Sequence, residues 1–135
     1  MSNEKKLIIK KTFDLAVKNH QNNKFNVAQD LYNKILEIDP NYVEALNNLG
    51  IIFQELGENQ KAMDYFEKAI TINPNYADAH YNLGTLFKEL RENQKEISCY
   101  EKVIAINPNY VHAYHNLIST LIKQSKFKEA ELSYQ

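Results

Sequence analysis

The chain has 135 residues, a formal net charge of −1, 44% hydrophobic and 24% charged residues, three Gly and three Pro. That length fits one domain, the apolar content argues against wholesale disorder, and so few turn-formers cannot serve a many-stranded sandwich or barrel. Helices are left, and a balanced charge offers no broad basic surface for nucleic acid.

At the start, Lys5, Lys6, Lys10 and Lys11 surround Leu7-Ile8-Ile9. This apolar run is far short of the ~18 residues that span a membrane, and no signal-peptide cleavage site follows it. A first helix with a lysine-rich, water-facing outer side is expected here, in a cytoplasmic protein with no membrane partner. Cys99 is the single cysteine, which excludes a disulfide framework and a cysteine metal cluster.

The three prolines, Pro40, Pro74 and Pro108, are 34 residues apart, within Asp39-Pro40-Asn41-Tyr42, Asn73-Pro74-Asn75-Tyr76 and Asn107-Pro108-Asn109-Tyr110. Aligning Val43–Tyr76 with Ala77–Tyr110 gives 19 identities in 34 positions. The chain therefore divides into a short extension (1–8), repeats over 9–42, 43–76 and 77–110, and a partial repeat over 111–135. Within 43–76, Ala45, Leu46, Leu49, Ile52, Phe53 and Leu56 fall at helical spacing. Gly57 suits a left-handed helix end. A second helix follows, with Ala62, Tyr65, Phe66, Ala69 and Ile70 on one face. Asp64 and Lys68 are spaced as an i,i+4 ion pair on its polar side. Pro74 ends that helix, and Asn75 is expected as N-cap of the next.

These residues resemble the tetratricopeptide repeat pattern, W-x2-L-G-x2-Y, then A-x3-F, then P, in 34 residues. The second repeat carries Leu46, Leu49, Gly50, Phe53, Ala62, Phe66 and Pro74 at those places. The third carries His80, Leu83, Gly84, Phe87, Glu96, Tyr100 and Pro108. The first keeps Leu15, Ala16, Ala28, Tyr32 and Pro40, and the last keeps Tyr114, Leu117, Leu121, Ala130 and Tyr134. Two departures stand out. Glu96 replaces a small residue between paired helices, and Arg91 and Ser125 replace the turn glycine, so those turns are expected to close differently. The resemblance implies an all-α, right-handed superhelix of helix-turn-helix repeats.

Candidate chemistry is sparse. His112 and His115 share a helix face but lack a third metal ligand, and His80 takes an aromatic position expected to pack between helices. Glu55 and Glu89 recur by repetition, and nothing around them raises a carboxyl pKa. Cys99 has no base beside it. No phosphate-binding loop, nucleophile elbow or zinc-protease motif occurs, so neither an enzyme nor a cofactor or metal site is expected.

The resemblance also implies a concave groove lined by the first helix of each repeat. Its positions here are Glu44, Asn47, Asn48 and Ile51; Asp78, Tyr81, Asn82 and Thr85; His112, His115, Asn116 and Ser119. Asn48, Asn82 and Asn116 recur at one position, similar to the asparagine ladder of O-linked N-acetylglucosamine transferases. A carboxamide offers donors and an acceptor to the backbone of an extended peptide. The alternative role for these asparagines is to fix neighbouring helices. Tyr42, Tyr76 and Tyr110 are expected to add apolar contacts. The chaperone-tail clamp of the family needs cations that neither register of this chain supplies.

The implied function is non-catalytic binding of a protein or extended peptide. The alternatives are a substrate-recognition arm of a larger glycosyltransferase or sulfotransferase, and self-association through an exposed last repeat. The final 25 residues stop within the fourth repeat's second helix, as in a window cut from a longer array.

Overall fold

A computed structural model describes residues 1–133. Among them are seven α-helices and no strand: α1 (Asn3–Gln21), α2 (Phe25–Ile38), α3 (Val43–Glu55), α4 (Asn59–Ile72), α5 (Ala77–Glu89), α6 (Asn93–Ile106) and α7 (Val111–Ser133). The fold is an all-α helical repeat. The chain divides into two compact units, Met1–Pro74 and Asn75–Gln135. None of the described helices is long and apolar enough to cross a membrane.

In the N-terminal unit, α1 pairs with α2 and α3 with α4, and α2 also packs on α3. The core is Ile9, Ala16, Ala28, Tyr32, Ile35, Ala45, Leu49 and Ile52, all buried, with Phe13, Phe53 and Tyr65 packed against it. In the C-terminal unit α5 pairs with α6, and α6 packs on α7 around Tyr100, Val103 and Ala113.

Each hairpin depends on a small residue in its first helix. A Cβ built on Gly50 would lie 2.5 Å from the Phe66 ring, and one on Gly84 would lie 2.5 Å from the Tyr100 ring. Only hydrogen fits there, so the buried ring of the second helix seats directly on the first helix's backbone.

The helix-to-helix turns repeat bond for bond. Asn23, Gly57 and Arg91 have φ of 61°, 78° and 59°. Around Gly57, the N–H groups of Leu56, Gly57 and Glu58 donate to the carbonyls of Ile52, Gln54 and Phe53; around Arg91 those of Leu90, Arg91 and Glu92 donate to Leu86, Lys88 and Phe87. Arg91 therefore closes its turn as Gly57 does, against expectation, and it carries the strain of a left-handed conformation in a residue with a Cβ.

The links between hairpins are set by Asx-Pro-Asn-Tyr. The side chains of Asp39 and Asn107 accept from the N–H groups of Asn41 and Asn109 at 3.1 Å. The Tyr42 and Tyr110 N–H groups close the turns on the Asp39 and Asn107 carbonyls. The N-cap position of α5 falls on Tyr76, with no side-chain cap bond, rather than on Asn75. Asp64 accepts from Gln60 Nε2 at 3.0 Å, and Lys68 lies over the Tyr65 ring, so the expected Asp64–Lys68 pairing gives way to other partners.

The fourth repeat differs most. α7 runs unbroken through Ser125, where a turn was expected. One residue explains it. Ile118 occupies the place of Gly50 and Gly84, where so large a side chain would collide with the ring that a hairpin delivers; Ser125 is no bar by itself, since Asn23 and Arg91 close the same turn without glycine. Tyr134, expected to supply that ring, lies outside the described residues.

Two measurements check these causes. Gly84→Ile should destabilise by about 3 kcal/mol and lower the melting temperature by roughly 10 °C, through overpacking against Tyr100. Arg91→Gly should stabilise by about 0.5–1 kcal/mol in urea titration, the relieved strain exceeding glycine's added unfolded-state entropy.

Candidate functional site

In the N-terminal unit, α1 and α3 present a hollow of about 400 Å³, lined by Val17, His20, Gln21, Tyr32, Asn48, Ile51 and Glu55. Its floor is polar. Asn48 Nδ2 donates to the Tyr32 hydroxyl at 3.0 Å, and Asn47 Nδ2 lies 3.5 Å from Asn48 Oδ1. Burial raises the Tyr32 hydroxyl pKa, with the Asn48 bond opposing. One rim is the His20 Nε2–Glu55 Oε2 contact of 3.0 Å, which gives Glu55 a specific partner. Glu44 is exposed beside this surface. Asn47 is only 4% exposed, so it belongs to the packing and does not line an open face.

In the C-terminal unit, α5 and α7 carry Asn82 and Asn116. Asn116 Nδ2 donates to the Tyr81 hydroxyl at 3.0 Å. The Tyr81 ring packs against Tyr110 (centroids 5.2 Å apart) and Tyr100 (5.8 Å). Tyr110 donates its hydroxyl to Asp78 Oδ1 at 2.8 Å. Burial raises the Tyr110 pKa first, and the bond to Asp78 raises it further. The Tyr100 hydroxyl is buried without a bonded partner; Asn116 is near enough to lower its pKa, but burial and the Glu96 charge prevail and raise it. Thr85 Oγ1 is committed to the Asn82 carbonyl at 2.8 Å. His112 and His115 are exposed and Ser119 is half-buried.

The recurring asparagines thus have an internal role. Asn48 and Asn116 each hold a tyrosine hydroxyl on another helix. A carboxamide has two N–H donors and a carbonyl acceptor, so one such bond leaves it capacity for a ligand. Tyr42 and Tyr110 likewise pack inside the chain, Tyr42 edge-on to Phe13 at 5.8 Å.

The remaining candidates are quiet. The Cys99 thiol is pushed up to about 11, by burial and then by Glu96, which keeps it protonated at neutral pH. No group of three metal-ligating side chains occurs among the described residues. Glu96 is 1% exposed and accepts from Thr120 Oγ1 at 2.8 Å. That hydroxyl lets a carboxylate stand where the repeat pattern has a small residue. Nothing in the sequence marks a cavity of about 680 Å³ between the α5–α6 turn and the overhanging end of α7 with Phe127 on its wall; it exists because α7 does not turn.

A double-mutant cycle tests the internal role. Asn48→Ala should cost about 1 kcal/mol by leaving the Tyr32 hydroxyl without its donor, and Tyr32→Phe should remove most of that difference.

Comparison with known proteins accords with this geometry. Models described as tetratricopeptide repeat match residues 43–76 and 65–97. No curated protein sequence matches the chain. Among solved structures, an O-GlcNAc transferase mutant from Thermobaculum terrenum shares 24% identity with a TM-score of 0.81, covering 90% of this chain and 23% of its own. MamA shares 29% identity with a TM-score of 0.76, covering 87% and 68%. The first TPR of Spaghetti (RPAP3), bound to the HSP90 peptide SRMEEVD, shares 21% with a TM-score of 0.79, covering 93% and 97%. The chain spans under a quarter of the length of the transferase. With the 34-residue period, the seated rings and the matched models together, residues 43–97 are tetratricopeptide repeats, and the fold of the chain as a whole is similar to that of tetratricopeptide repeat proteins.

Proposed function

We propose that the chain is a non-catalytic scaffold whose units each bind extended protein segments on the face formed by their first helices. The observation that carries this is the recurrence of Asn48, Asn82 and Asn116 at one helical position, two of them anchored by tyrosine hydroxyls. Anchoring favours binding, because a carboxamide already fixed in orientation loses little side-chain entropy when it meets a peptide backbone. Such donors and acceptors match N–H and C=O groups without selecting side chains. His20, Ile51, Tyr81, Asp78 and His115 would then supply selectivity.

The HSP90 peptide bound to the Spaghetti repeat, SRMEEVD, ends in Glu-Glu-Val-Asp. In this chain the corresponding faces lack the cations for such a carboxylate-rich tail. We therefore assign it extended segments held by their backbone. A second reading, a substrate-recognition arm of a larger enzyme, draws support from the likeness to the O-GlcNAc transferase. It requires a natural reading frame that continues into a catalytic domain.

The test is a peptide-library titration against the wild type, the Asn48→Ala/Asn82→Ala/Asn116→Ala variant and the Tyr32→Phe/Tyr81→Phe variant. The asparagine variant should lose at least about tenfold in affinity while its helical circular dichroism stays unchanged. The phenylalanine variant, which keeps every carboxamide but frees two of them from their anchors, should fall between the two, losing about threefold. Equal affinity for all three proteins would overturn the backbone-binding role.

A further inference from the structure

α7 carries an apolar stripe on the side away from Asn116. Val111, Tyr114, Ile118 and Leu121 are spaced three and four residues apart, and Ser125, Lys128 and Leu132 continue the series. Its large apolar members are open: Val111 is 72% exposed, Ile118 54%, Leu121 46% and Leu132 66%, with Ile122 beside them at 49%. At 100° per residue, Ile118 and Leu121 lie about 140–160° around the helix from Asn116. This stripe is therefore separate from the proposed peptide-binding face.

The repeat identifies what the stripe lacks. Val111, Tyr114, Ile118 and Leu121 correspond to Val43, Leu46, Gly50 and Phe53 of α3. There the hairpin partner α4 covers the face: Leu46 is buried, Gly50 lies under the Phe66 ring, and Phe53 stacks on Tyr65 at 5.4 Å. Because α7 continues straight through Ser125, it cannot cover itself. Alternating three- and four-residue spacing is the seam of a two-helix coiled coil, and such a seam accepts a second copy of itself.

We propose that this face joins two copies of the chain through antiparallel α7–α7 pairing about a two-fold axis near Ile122. In that register Leu121 meets Ser125 of the second copy, Tyr114 meets its Leu132, and the two Ile122 side chains meet near the axis. Ile118 meets Lys128, whose aliphatic stem covers it while the ammonium reaches water. Along the open flank His115 comes opposite Glu129, twice by symmetry, and no two acidic groups oppose each other. The contact is isologous and closes at two copies. A seam of about 30 Å is at the small end of specific interfaces, so the dissociation constant is expected on the order of tens of micromolar.

Sedimentation equilibrium of the 135-residue chain from about 1 μM to about 1 mM tests it. Wild type should pass from monomer to dimer and stop there. Ile122→Lys, which sets like charges at the axis, should stay monomeric with an unchanged melting curve, because the site is exposed in the monomer. Ile118→Lys, which meets Lys128 of the second copy, should weaken the dimer about tenfold, and the double variant Ile118→Lys/Lys128→Glu should recover it, since the swap sets opposite charges across the seam. A monomeric mass throughout, a mass that grows beyond the dimer, a dimer indifferent to Ile122→Lys, or no recovery in the double variant would each overturn the proposal. None of these outcomes bears on peptide binding by the asparagine-bearing faces.

Discussion

The seating of an aromatic ring on a bare stretch of helix backbone is the constraint from which the rest follows. Phe66 on Gly50 and Tyr100 on Gly84 bring paired helices closer than side-chain-to-side-chain packing allows. In the first hairpin Ala16 stands where Gly50 and Gly84 do, with Tyr32 in the ring's place and both fully buried, so that hairpin accommodates a methyl group there and nothing larger is found in the three closed hairpins. Close approach needs a tight connection, and the left-handed residues Asn23, Gly57 and Arg91 provide it at equivalent places. Where the small residue becomes Ile118, the hairpin is replaced by one long helix. A single side chain thus decides whether a repeat closes or extends.

The same rings organise the polar surface. Tyr32 is held in the core, yet its hydroxyl reaches the floor of the N-terminal hollow and orients Asn48. In the C-terminal unit Tyr81 orients Asn116 while packing at a tilt against Tyr100 and Tyr110. Packing and the proposed recognition therefore share atoms, and replacing an asparagine loosens a tyrosine as well as removing the proposed ligand contact. That is why the tyrosine-to-phenylalanine variant is needed beside the asparagine variant.

Most of the architecture was legible from periodicity. The 34-residue spacing of three prolines, the apolar stripes and Gly57 place six helices and their turns, because backbone chemistry decides those positions. What escaped depended on partners distant in sequence. Arg91 gives no sign of adopting glycine's conformation; the identical hydrogen bonds around it impose that. Asn47 has the spacing of a surface residue, but neighbouring packing buries it. Asp64 had two partners within reach, Gln60 and Lys68, and sequence spacing alone does not choose between them. The unbroken α7 was foreshadowed by Ile118, whose meaning becomes visible only once Gly50 is seen beneath a ring.

Glu96 and Thr120 carry a last consequence. They are 24 residues apart, as are Ala28 and Ile52, which occupy the same repeat positions in the N-terminal unit and are both buried in its core. One unit joins successive repeats with a methyl against an aliphatic chain, the other with a carboxylate against a hydroxyl. The two joints are not interchangeable. A copy of the third repeat placed before the second would set Glu96 against Ile52, burying a carboxylate without a donor at a cost of several kcal/mol. The repeats look like duplicates, yet this pair fixes what can follow the third: in an array otherwise free to grow by copying, it works as a key that admits only one successor to that repeat.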